Sequence, residues 1–157
     1  MTAPASSSDA ATATARRAAM ATLAQAKLNE LADRLALLHA LPAAEDVRPA
    51  EIGLVMLRGR IGGDGAPFNL GEATVTRAAV KLTSGQVGFS YVLGRQPDKA
   101  RLAAICDALL QHPDHRAQIE RDILMPIQTR IDDERARARA RTAATKVEFF
   151  TMQRGED

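Results

Sequence analysis

The chain has 157 residues, 46% of them hydrophobic and 25% charged, and a net charge of +2. That suits one globular domain with a core of its own; the mild positive charge does not by itself point to nucleic acid, and no apolar run is long enough to span a bilayer. A single cysteine, Cys106, excludes an intramolecular disulfide and fits a cytoplasmic location.

Met1 to Ala15 is rich in Ala, Ser and Thr without an apolar stretch, and reads as a disordered tail ahead of a single domain over 16–157. From Arg16 to about His39 the spacing predicts one amphipathic helix, with Leu23, Leu28, Leu31, Leu35 and Leu38 near one face. Pro42 and Pro49 punctuate a linker. Ile52–Leu57 is apolar at every side-chain position, which suits a central strand covered on both sides.

A glycine-rich turn around Gly62, Gly63 and Gly65 is closed by Pro67, and a second strand is expected over Ala73–Leu82. Ser84-Gly85 offers a hairpin turn, followed by a third strand with Val87, Phe89, Tyr91 and Leu93 on one face. Pro97 opens a helix to about Gln111, striped by Leu102, Ile105 and Leu109. His112-Pro113 breaks it, and Asp114 is the expected N-cap of the next helix. That helix carries Ile119, Ile123, Ile127 and Ile131 at four-residue spacing, with a kink expected at Pro126. Lys146–Met152 reads as a last strand. The order gives an α+β fold: an antiparallel sheet of about four strands packed with helices from both ends of the chain.

The densest chemistry lies between Met56 and Val80. Gly62-Gly63-Asp64-Gly65 lacks the Lys-Ser/Thr of a P-loop and precedes a strand, so neither phosphate-binding fingerprint applies. A backbone nest for an anion and a plain tight turn both remain open. Arg58 and Arg60 share a side of an extended segment, and Arg77 could join them from the neighbouring strand. Guanidinium groups suit phosphate or carboxylate; ion pairs with Asp64 and Glu72, or a solvated edge, are the alternative.

His39, His112 and His115 share no metal-ligand spacing, and helix capping is the expected role at the His112/His115 junction. Cys106 sits in an apolar helical run and reads as an inert buried thiol. Arg135, Arg137, Arg139 and Arg141 alternate, but on a helix a two-residue step turns about 200°, so they split between faces. Asp132, Asp133 and Glu134 precede them at pairing distance, and few aromatics are present for base stacking. Phe149 and Phe150 are adjacent, so a strand aims them at opposite faces. One can enter the core; the other needs cover from the chain's own helices or from another chain.

The blocks Met56–Val80, Tyr91–Arg95, Asp107–Gln111 and Ala143–Glu156 resemble the PhnG family, a subunit of the bacterial carbon–phosphorus lyase system. The likeness runs from about Arg16 to the end. It implies a cytoplasmic hetro-oligomeric complex with PhnH, PhnI and PhnJ, without membrane or nucleic acid. With PhnL, such a complex makes α-D-ribose 1-methylphosphonate 5-triphosphate from ATP and methylphosphonate, the phosphonate displacing adenine. The resemblance gives catalysis to PhnI, so the expected role here is an accessory subunit with no cofactor of its own and ATP as the complex's co-substrate. No catalytic residue carries over. Arg58, Arg60, Gly62, Gly63, Asp64, Gly65, Glu72 and Arg77 stand as candidates for substrate or partner binding. Phe149, Phe150 and Arg154 stand as candidates for an interface.

Overall fold

The computed structural model describes residues 7–62 and 64–146. Helices α1 (Ser7–Gln25) and α2 (Leu28–Ala36) lead into strands β1 (Ala44–Arg60), β2 (Pro67–Leu82) and β3 (Val87–Leu93), an antiparallel sheet in the order β1-β2-β3. Helices α3 (Pro97–Leu110) and α4 (Pro113–Ile119), a π-helical turn (Glu120–Leu124) and helix α5 (Met125–Ala144) follow. The fold is α+β as expected, with three strands among the described residues instead of about four. Nearly all of the expected last strand, and with it Phe149, Phe150 and Arg154, lies outside the described residues.

The first helix begins at Ser7, within the stretch read as a tail, where alanine, the best helix former, is abundant. It does not continue to His39. The chain breaks at Ala26-Lys27 and restarts as α2, where the Lys27 N–H donates to the Glu30 carboxylate at 3.2 Å. The break resets the helical phase. Leu23 and Leu31 are buried while Leu28 is exposed.

Pro49 lies inside β1, not in a linker. Register shifts fall on both sides of Arg48, between Asp46 and Glu51, and β1 is an edge strand, so the missing N–H breaks no interior ladder. The expectation of a covered central strand at Ile52–Leu57 is overturned for the same reason. Among the described residues β1 has a neighbour on one side only, and no described helix covers this stretch.

Helix α3 fills the space over the sheet. Ala100, Ala103, Ala104, Cys106, Ala108 and Leu109 are all buried. Its small residues let it approach β3 so closely that a Cβ on Gly88 would collide with the Ala104 carbonyl and the Ala108 N–H. This decides which face of β3 is inside. Gly88, Ser90 and Val92 face α3, and the larger Phe89, Tyr91 and Leu93 are turned outward.

Ile119, Ile123, Ile127 and Ile131 form the buried face of the last helical stretch. The strain of Pro126 is absorbed by the π-turn, from which the Met125 N–H reaches back to the Glu120 carbonyl. The Asp122 carbonyl, four residues before Pro126, accepts from Arg34 of α2 at 3.0 Å. The N-cap of α4 is His112, whose Nδ1 accepts from the Asp114 N–H at 3.2 Å; Asp114 itself is in the first turn.

Candidate interaction surface

Strand β3 pairs with β2 only from Val75 to Lys81, whereas β1 follows β2 out to Arg60 and Pro67. Beyond Thr74 the sheet is therefore a two-stranded ribbon, which at about 3.3 Å per residue reaches roughly 23 Å from the body. Its root is fixed to the start of α3: Gly94 donates to the Thr74 carbonyl at 2.8 Å, and Thr76 Oγ donates to the Gly94 carbonyl at 2.6 Å.

The ribbon is apolar and bare. Leu54 at its root is 62% exposed, Met56 53% and Leu70 65%, with Leu57, Ile61 and Phe68 also exposed, and Ile52, just before the ribbon, is 48% exposed. The pairs Ile52–Thr76, Leu54–Thr74 and Met56–Glu72 put Ile52, Leu54 and Met56 on the side of the sheet that α3 covers further back. Single exposed apolar residues are ordinary, but a continuous strip marks a surface that something else covers.

Gly62, at φ 65°, takes the left-handed conformation that a side chain disfavours, and the tip closes with the Gly65 N–H on the Ile61 carbonyl at 3.1 Å. Arg60 donates to the Gly65 carbonyl at 3.2 Å. Asp64 is part of this tip, and Gly63 lies outside the described residues. Arg58 opposite Asn69 and Arg60 opposite Pro67 share one face, as the alternation predicts.

Arg77 does not join them. It sits opposite Glu51, eight residues along β2 from Asn69, or about 26 Å, and bonds the Glu51 carboxylate at 3.2 Å. Glu72 opposes Met56, which alternation along β1 puts on the same face as Arg58. Ion pairs with Asp64 or Glu72 do not form: among the described residues Arg58 and Arg60 have no carboxylate partner. The concavity beside them is shallow, walled by Arg58, Gly59, Arg60 and Pro67 alone. Among the described residues nothing encloses a site for an anion there.

The body holds its charges differently. Asp107, fully buried on α3, accepts from Arg16 Nε at 2.8 Å and Nη2 at 2.6 Å and from the Phe89 N–H at 2.9 Å. One carboxylate thus ties α1, α3 and β3 together, and its bond raises the Arg16 pKa. The carbonyl end of α1 meets two cations, with Lys99 on the Ala24 carbonyl at 2.9 Å and Arg130 on that of Gln25 at 3.1 Å. Burial, then the Arg130 charge, lowers the Lys99 pKa. Sequence reading missed all four of these residues. The usable signal was a lone aspartate inside the apolar run Ala103–Leu110, since a carboxylate is almost never buried without a partner.

Cys106 is fully buried, and desolvation together with the Asp107 charge pushes its thiol up to about 12, as suits an inert side chain. No group of three His, Cys, Asp or Glu side chains fit to hold a metal occurs among the described residues. A cavity of 310 Å³ between α1 and the α3–α4 junction is lined by Arg16, His112, Arg116 and Glu120 among others. Its arginines are already engaged, Arg16 by Asp107 and Arg116 by Glu120 at 3.3 Å. No helix among the described residues is long and apolar enough to cross a membrane.

Residues 14–155 match the family model described as phosphonate metabolism protein PhnG. The chain belongs to the PhnG family. A relative from Rhizobium meliloti (strain 1021), described as alpha-D-ribose 1-methylphosphonate 5-triphosphate synthase subunit PhnG, is 50% identical over 153 residues, covering 98% of this chain and 97% of its own. Ribbon, sheet and every helix from α2 to α5 fall within the residues matched by the PhnG model, and α1 does so from residue 14 on.

Proposed function

We propose that this chain is the accessory PhnG subunit of a cytoplasmic complex that makes α-D-ribose 1-methylphosphonate 5-triphosphate from ATP and methylphosphonate, with displacement of adenine. Its partners are PhnI, PhnH, PhnJ and PhnL-type subunits, with PhnI as the catalytic one. The chain contributes surface and brings no cofactor. The observation that carries this is the bare apolar ribbon, which the chain's own described elements leave uncovered. The dispersal of the candidate charged residues, with Arg77 engaged about 26 Å from the tip pair, also argues for a surface in place of a catalytic centre.

A second reading keeps one specific observation. Arg58 and Arg60 share a face at the tip without a carboxylate partner among the described residues, so they could lend charge to nucleotide or phosphonate in a pocket that a partner builds. Adenine release by the co-purified subunits, with and without this chain, tests the main reading. Release should fall to background without it. A complex that turns over equally well in its absence sinks the proposal. Arg58→Ala with Arg60→Ala separates the readings: assembly intact with weaker ATP binding supports direct contact, and lost assembly supports docking.

A further inference from the structure

We propose that the edge of β1 from Ile52 to Arg58 takes up an extended segment of a partner subunit as a further strand, held by main-chain hydrogen bonds. This rests on the reading of the chain as a subunit. The two edges of the sheet are built differently. On β3, the outward Phe89 N–H is taken by Asp107 and the Val87 carbonyl by Gln111 Nε2 at 2.8 Å, so side chains of α3 close that edge. The start of β1 is closed as well. Arg101 bonds Asp46 at 2.8 Å and the Ala44 carbonyl at 3.3 Å, and Pro49 has no N–H.

Past Glu51 no described residue continues that protection. Since Phe89 turns its main-chain groups away from β2, its neighbour Ala79 turns its own toward β1, and alternation along β2 gives the same for Arg77, Val75 and Ala73. Their partners Glu51, Gly53 and Val55 therefore bond inward, and Ile52, Leu54 and Met56 present N–H and C=O to the open edge. The Gly94 bond to the Thr74 carbonyl fits this parity, because Thr74 faces the β3 side. The shift between Leu57 and Arg58 adds its extra residue, Leu70, to β2, so alternation along β1 is unbroken and Arg58 takes the next outward position. Protected edges carry lysine, proline or inward charge; Ile52–Leu57 carries none of these and is apolar on both faces.

Charge selects the occupant. Among the described residues, Arg58 and Arg60 stand beside the far end of this edge without a carboxylate, so the incoming segment is apolar along Ile52–Met56 and acidic where it passes them. A second copy fits less well. An antiparallel β1 from it would bring its arginines toward Glu51, and Arg77 already holds that carboxylate at 3.2 Å.

Amide hydrogen exchange on the full chain, alone and in the complex co-purified with its partner subunits, reads the pairing directly. The N–H groups of Ile52, Leu54, Met56 and Arg58 should slow by about 100-fold or more on assembly, while those of Gly53 and Val55 are slow in both states. A complex that forms without this slowing overturns the strand and leaves the subunit reading standing. Slowing in the isolated chain at high concentration overturns it in favour of a second copy, and failure of any complex to form removes both readings. Met56→Pro deletes one outward donor and should weaken assembly at least about tenfold beyond Met56→Ala; equal effects would mean that side chains alone dock. Arg58→Glu with Arg60→Glu should weaken assembly as well, and no change there overturns the acidic partner.

Discussion

The body and the ribbon use the same strand β2 in opposite ways. In the body, β2 is covered by α3, and Ala78, Val80 and Leu82 are buried. In the ribbon, the same strand carries Phe68 and Leu70 into solvent. The body's charges are paired across elements, as in Arg16–Asp107 and Arg130–Glu30, whereas the tip arginines have no carboxylate partner among the described residues. One half of the molecule completes its own interactions, and the other leaves apolar surface and charge for something else. Burial in the body stabilises the isolated chain; in the ribbon, equally apolar side chains add nothing until a partner covers them.

Gly88→Val tests the body side most severely. Its side chain would strike the α3 backbone, which cannot move aside alone, and the cost should be about 3 kcal/mol or more by urea unfolding. Unchanged stability would show that the close approach of α3 and β3 is not needed. Asp107→Ala comes next. It strands the Phe89 N–H and the Arg16 charge, but Arg16 keeps some access to water, so about 2–3 kcal/mol is expected. Asp107→Asn should cost less, because its amide oxygen can still accept.

The ribbon should behave in the reverse manner. Leu54→Glu with Met56→Glu is expected to change the isolated chain's stability by no more than about 0.5 kcal/mol while preventing co-purification with the partner subunits. Destabilisation comparable to the Asp107→Ala value would erase the contrast between the two regions. A further probe is Cys106, which should resist thiol reagents at neutral pH and react only at the rate of unfolding.

The smallest effect is expected at Glu30. Burial pushes its pKa up, but bonds to Arg130 and the Lys27 N–H outweigh this and hold it below the ordinary value. A depressed folded-state pKa stabilises the protein above the unfolded pKa, and that share is lost as pH falls through the folded one. Glu30→Gln should therefore lower stability near neutral pH and flatten the acid limb of a stability–pH curve. An acid limb identical to that of the parent chain would remove the assignment.

Much of this was legible in the sequence because it depends on near neighbours in the chain. Pro97 starts α3, Ser84-Gly85 turns the β2–β3 hairpin, and the four-residue isoleucine spacing gives the buried face of the last helices. The shared face of Arg58 and Arg60 followed from strand alternation. Local pattern was weaker where two outcomes share one signature. The apolar run Ile52–Leu57 fits a strand buried on both sides and also one awaiting a partner. The alternation Phe89, Tyr91, Leu93 does not say which face a helix will cover.

The sequence by itself determined the α+β class, most element positions and the family, because periodicity, turn residues and motif order are written along the chain. Only the tertiary structure decided that β1 is an open edge, that small residues and not aromatics face α3, and that Arg77 lies far from the tip arginines. It alone brought Asp107 to Arg16 from 91 positions away. These facts depend on register and on which layer covers which face, and both are set by contacts between residues distant in sequence.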